Sequence, residues 1–183
     1  MTVALHSAPP FEKWIRAAEM VAHAYNQNPL AMAIIEQLRF EHIASCEKVL
    51  RQLPAWFGIE QAIRNYASDL ERCDGLVATV DGTVVAFVGL KRYGSHSIEL
   101  NVIGVLPEYR RKGIGSQLIE AVENLASESG VQFLHTKTLS ASVPYEPYEQ
   151  TRKFWRAMGF LPLDEHLLWG SSNPCLVLIK ALR

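Results

Sequence analysis

Cysteine is scarce: Cys46, Cys73 and Cys175 are scattered through 183 residues and form no CxxC pair. That argues against a disulfide framework or a cysteine zinc site and implies a reducing compartment. The six histidines show no HExxH or comparable ligand spacing, so no metal is expected. No stretch approaches the ~20 apolar residues of a membrane-spanning helix. The opening MTVALHSAPP has no basic n-region and no sustained apolar run, so it does not read as a secretory signal, and a cytoplasmic location is expected. An excess of one charge is also missing. Lys and Arg number 18 against 19 Asp and Glu, a formal net charge of -1. Without a global positive field, neither nucleic acid nor a membrane surface is expected as a partner.

What is present is core material, with 49% hydrophobic and 20% charged residues. That suits one compact domain, with an appended element at most. Residues 11–27 place Phe11, Trp14, Ile15, Ala18, Val21, Ala22 and Tyr25 at helical spacing between Pro9-Pro10 and Asn28-Pro29. This stripe reads as a helical extension over residues 1–33, buried on the main domain of residues 34–183 or across a homodimer interface. From Gln37, the alternation through Leu38–Ile43 predicts a half-buried strand, and Ser45 reads as the N-cap of a helix reaching Leu53. Ile59–Leu70 is a second amphipathic helix. Leu76–Val80 and Thr83–Leu90 flank Asp81-Gly82, a two-residue hairpin turn. Ser97–Leu106 and Val131–Leu139 read as strands around a helix over Gly113–Ser129, a βαβ step with parallel pairing. Alternation on the first of these strands puts Ile98, Leu100 and Val102 on one face, Glu99 and Asn101 on the other. A helix over Tyr148–Met158 and a strand over Leu176–Lys180 follow. The fold class is α/β (α+β): a mixed, mostly antiparallel central sheet of about six to seven strands flanked by helices.

The chemistry concentrates in Val105-Leu106-Pro107-Glu108-Tyr109-Arg110-Arg111-Lys112-Gly113-Ile114-Gly115-Ser116. A strand ends, a basic turn follows and two glycines open a helix. First-turn N–H groups of a helix lack internal partners and carry the positive end of its dipole, which makes an anion site. Gly113 and Gly115 remove side chains that would hold an anion away. No Gly-Lys-Ser/Thr follows, so it is not a Walker A loop, and Leu118 stands where a dinucleotide fingerprint needs its third glycine. A tight turn with solvated basic residues is the plainer alternative.

The segment Arg110-x-x-Gly113-x-Gly115, following Ile103-Gly104-Val105-Leu106-Pro107, resembles the coenzyme A-binding motif of the GCN5-related N-acetyltransferase (GNAT) superfamily. Thr151-Arg152-Lys153-Phe154-Trp155-Arg156-Ala157-Met158-Gly159-Phe160 resembles its second signature, an aromatic helix closing on Gly-Phe. The resemblance covers roughly residue 37 to the C-terminus. It implies acetyl-CoA as co-substrate, with the amides of Arg111, Lys112, Gly113, Ile114, Gly115 and Ser116 around its pyrophosphate. The backbone of Ile103, Gly104 and Val105 would run beside the pantetheine arm. It further implies N-acetyl transfer to a primary amine of a small molecule, peptide or protein, the alternative being a non-catalytic acyl-CoA sensor. Glu99 is the implied base. Its plainer reading is an exposed charge on a half-solvated strand. At the position of the family's usual tyrosine acid, this chain has Trp155, which leaves three outcomes: the thiolate departs without an acid, Tyr148 or Tyr145 substitutes, or activity is lost. A lysine-like ammonium costs roughly 4–5 kcal/mol to deprotonate at pH 7, whereas a thiol costs only about 2 kcal/mol, so the base matters more than the acid. His135 and Lys137 are further candidates for substrate contact, Trp56-Phe57 for the acceptor pocket, and Arg152 for a structural pair.

Overall fold

The computed structural model describes residues 33–182. The helix expected over residues 11–27 lies outside them. The described chain runs β1 (Ile34–Gln37), α1 (Ile43–Arg51), α2 (Glu60–Leu70), β2 (Asp74–Val80), β3 (Thr83–Tyr93), β4 (Ser97–Val105), α3 (Ile114–Glu128), β5 (Phe133–Leu139), α4 (Glu146–Ala157), β6 (Leu161–His166) and β7 (Cys175–Ala181). The seven strands form one sheet in the order β1-β2-β3-β4-β5-β7-β6. Every pairing is antiparallel except β4 with β5, which α3 joins as the expected parallel step. Asp81 and Gly82 both have positive φ, 50° and 73°, and close the β2–β3 hairpin as the Asp-Gly pair predicts. Helix α3 buries Ile114, Leu118, Ala121, Val122 and Leu125 at 3.6-residue spacing and meets β1 to β4.

Four expectations are corrected. The strand expected over Leu38–Ile43 ends at Gln37, and a 3-10 turn over Phe40–His42 replaces it. The cause is local: His42 Nδ1 accepts the Arg39 N–H at 3.1 Å, and this side-chain bond turns the backbone out of the ladder. Helix α1 consequently starts at Ile43, which places Ser45 inside it rather than at its cap. Helix α4 starts at Glu146, two residues before Tyr148. Strand β6 gave no sequence signal. It contains Pro162, Asp164 and Glu165, all six of its residues are exposed, and it lies at the sheet's edge, where proline and charge are tolerated.

The most consequential irregularity is a bulge in β4. Gly89 pairs with Val102 and Leu90 with Leu100, so Asn101 is an extra residue opposite one step of β3. The bulge reverses the alternation expected for this strand. Glu99, paired with Lys91, and Val102, paired with Gly89, now share the face covered by α1 and α2. Asp69 of α2 anchors this region, accepting from Lys91 Nζ at 2.7 Å and from Asn101 Nδ2 at 3.4 Å.

Helix α1 reaches β4 only because residue 104 is glycine. A Cβ there would lie 3.0 Å from Val49 Cγ1 of α1 and 3.1 Å from Phe87 Cε1. Gly104→Val should therefore destabilise the fold by about 3 kcal/mol through overpacking, measured as a lowered urea midpoint at unchanged m-value.

Candidate active site

Strands β4 and β5 part in mid-sheet. Their ladder joins Ser97–Leu100 to Phe133–Thr136 and stops, although β4 continues to Val105 and β5 to Leu139. At the fork the Thr136 hydroxyl donates to the Leu100 carbonyl at 2.9 Å and closes off the last rung. Beyond it the facing edges of both strands border a cavity of about 900 Å³.

The basic turn opens on the same cavity. Arg111 and Gly113 take positive φ, 61° and 82°, and swing the chain into α3. Among the described residues, none of the six backbone N–H groups from Arg111 to Ser116 donates to a protein acceptor; Gln117 is the first that does, to Gly113 O at 3.0 Å. Six free amides at a helix N-terminus make a cradle for an anion. Gly115 keeps it open, since a Cβ there would stand 3.4 Å from the Phe154 ring on the cavity wall.

The residues singled out in the sequence separate clearly. Ile103, Gly104, Val105, Arg110, Arg111, Gly113, Gly115 and Ser116 line the cavity, as do Glu99, Tyr148 and Trp155. Lys112 and Ile114 do not. Lys112 Nζ lies 5.1 Å from the centroid of the Tyr109 ring, and Ile114 is buried in the core. The Arg110 guanidinium turns inward, 4.4 Å from the Trp56 ring centroid, with Nε donating to Val105 O at 3.1 Å. Trp56 in turn donates its indole N–H to Thr151 Oγ1 at 2.9 Å and so spans from the α1–α2 connection to α4.

Glu99 is not the exposed strand residue of the plainer reading. It is only 3% exposed, and its Oε1 accepts from Lys137 Nζ. A hydrogen bond to the same carboxylate raises the Tyr93 phenol. Trp155 is 2% exposed and packed between Phe154 and Phe160, at 5.2 and 4.9 Å between ring centroids. Burial pushes the Tyr148 phenol up to about 12, with Tyr66 and Tyr145 adding to the effect. His135 does not reach the cavity. It packs on Tyr93 at 5.3 Å, and burial lowers its pKa. Cys175 is wholly buried and its thiol is raised by burial, while Arg152 holds the carbonyls of Leu139 and Ser140 at 2.9 and 3.3 Å.

Four contributors went unread in the sequence. Tyr66 lines the cavity but hides in the apolar stripe of α2. Leu168 and Trp169 arrive from the β6–β7 connection, which carries no pattern. Thr138 is buried on the cavity wall with a hydroxyl that has no partner among the described residues.

Residues 38–160 match the family model of the acetyltransferase (GNAT) family. The chain belongs to that family. An uncharacterized N-acetyltransferase of Chlorobaculum tepidum is 32% identical over 106 residues, which are 56% of this chain and 61% of that protein. Among solved structures, Ard1 from Thermoplasma volcanium superposes with a TM-score of 0.69 at 18% identity, over 84% of this chain and 99% of that one. PaiA N-acetyltransferase from Thermoplasma acidophilum, in complex with coenzyme A, gives 0.64 at 21% identity, over 80% and 98%. At those identities the two structures establish a shared fold. No helix among the described residues is long and apolar enough to cross a membrane.

Removing Lys137 would leave a buried carboxylate without its cation. Lys137→Met should cost about 3 kcal/mol of stability at neutral pH, and the double variant Glu99→Gln/Lys137→Met should recover most of it, a cycle read by urea unfolding.

Proposed function

We propose that the protein is an acetyl-CoA-dependent N-acetyltransferase acting on a primary amine. The observation that carries this reading is the run of free amides from Arg111 to Ser116 beside the cavity at the fork, which Arg111, Gly113, Gly115 and Ser116 line. The cavity fits a long anionic thioester in three respects: unpaired amides for its diphosphate, the edge of β4 that no longer pairs with β5 beyond Leu100 for its amide-bearing arm, and the orphan Thr138 hydroxyl on the same wall. Bound there, acetyl-CoA supplies an acetyl thioester whose carbonyl carbon forms the new bond to the amine nitrogen as its bond to sulfur breaks.

Glu99, directly or through a water, takes the proton that the acceptor ammonium must lose, and Lys137 holds the carboxylate in position. A main-chain N–H near Val105 faces the carbonyl oxygen as charge builds on it. Tyr148 donates a hydrogen bond to the departing sulfur. Its phenol, pushed up to about 12, is a weaker acid than free tyrosine. It therefore stabilises the thiolate rather than handing over its proton; the nitrogen sheds its second proton to solvent as the amide forms, and solvent returns one to the released thiol. The small cost of thiolate departure makes that sufficient. Trp155 forms part of the wall; its indole can donate a hydrogen bond but is no acid.

Three measurements test this reading. Gly115→Phe should weaken coenzyme A binding by about 100-fold or more in calorimetry while the fold persists by circular dichroism. Glu99→Gln should lower kcat/KM about 100-fold and Tyr148→Phe about tenfold, with coenzyme A affinity unchanged. Because burial pushes the Tyr148 phenol up to about 12, it stays protonated through neutral and mildly alkaline pH and adds no falling limb to the pH–rate profile there. Undiminished coenzyme A binding by the Gly115 variant would refute the cradle. A second reading, a coenzyme-binding sensor, is favoured by Trp155 in place of tyrosine; coenzyme A binding without thiol release from acetyl-CoA, with any amine, would establish it.

A further inference from the structure

The far end of the cavity, on the α2 side of the fork, is walled by rings. Phe57 and Tyr66 meet edge to face at 5.7 Å and 89°. Tyr148 lines the same cavity, close enough to Tyr66 for that residue to add to the raising of its phenol. Leu168 and Trp169 also reach the cavity, from the β6–β7 connection, yet they remain 63% and 41% exposed. Two large apolar side chains thus stand at a pocket mouth with much of their surface in water, a cost that an apolar ligand would relieve.

The charges around this end are few and largely cancel. Glu99 is paired to Lys137, so the floor carries no net charge, and the ammonium of Lys137 repels a second cation placed beside the first. The other carboxylate on the cavity wall is Glu146, an exposed residue at the start of α4. A polycation would find no cluster of carboxylates to replace its hydration.

We infer that the acceptor is a small arylalkyl monoamine, its ring held against the aromatic lining that Phe57, Tyr66 and Trp169 provide and its single amine directed to Glu99. This inference deepens the proposed acetyl transfer and rests on it for the fate of the amine, but not for the binding of the ring. Flat π-surfaces are what edge-to-face walls recognise, and one amine is all the floor accommodates.

The test uses the whole protein saturated with coenzyme A and titrated by calorimetry with phenylethylamine, tryptamine, spermidine, kanamycin and an alanine-leading hexapeptide. Thiol release from acetyl-CoA is followed with the same amines. The aromatic monoamines should bind at least about tenfold more tightly than the others, and Trp169→Ala should weaken them about tenfold without moving coenzyme A affinity. Tighter binding of spermidine, kanamycin or the peptide overturns the inference, as does aromatic binding that is absent or indifferent to Trp169. Aromatic binding without thiol release for any amine leaves the inference standing and removes the transfer reading instead.

Discussion

The site exists because two neighbouring strands stop bonding to each other. A parallel pair buried in mid-sheet would ordinarily satisfy its backbone along its whole length, and every unpaired N–H or C=O there is costly. Here β4 and β5 surrender that pairing after Leu100 and Thr136. The Asn101 bulge bends β4 at the point of departure, and the Thr136 hydroxyl bonds the last carbonyl before the gap. The unpaired backbone that remains is the reason the cavity is there. The free amides at the head of α3 open on the same space.

A single extra residue also decides where the chemistry sits. With regular alternation, Glu99 and Val102 would face opposite sides of the sheet. The bulge places both toward α1 and α2, where Asp69 holds Lys91 and Asn101 while Lys137 holds Glu99. The wall beside the basic turn, formed by Val105, Gly115 and Phe154, lies on the other side. The fork joins the two. A carboxylate under one face thereby shares a cavity with an anion cradle on the opposite one, which a continuous sheet would keep apart.

Local chemistry was legible in the sequence where it is self-contained. Asp81-Gly82 specifies its turn by backbone conformation alone, and the Arg110–Ser116 turn declares a helix start with exposed amides. Features that depend on counting residues across strands were not. Nothing local marks Asn101 as a bulge, because that is a relation between β3 and β4. Strand β6 has neither alternation nor an apolar run, since an edge strand buries little. His42 ends β1 through a single side-chain bond that competes with the ladder. Tyr66 looked like one more apolar member of a helical stripe, and only the packing of α2 shows its face toward the cavity. Glu99 was found by resemblance, but its burial follows from the bulge and the helix above it.

Trp56 ties together parts of the chain that are distant in sequence. Its indole nitrogen is bonded to Thr151 on the fourth helix, and its ring stacks under Arg110 from the basic turn. The segment between the first two helices is already turned back on Leu53 by two backbone hydrogen bonds, and Trp56 extends its reach to the far side. Fastened at both ends, it becomes a crossbeam: the two banks of the crevice hold a common spacing, and a shift of either is transmitted to the other through one rigid bicyclic ring.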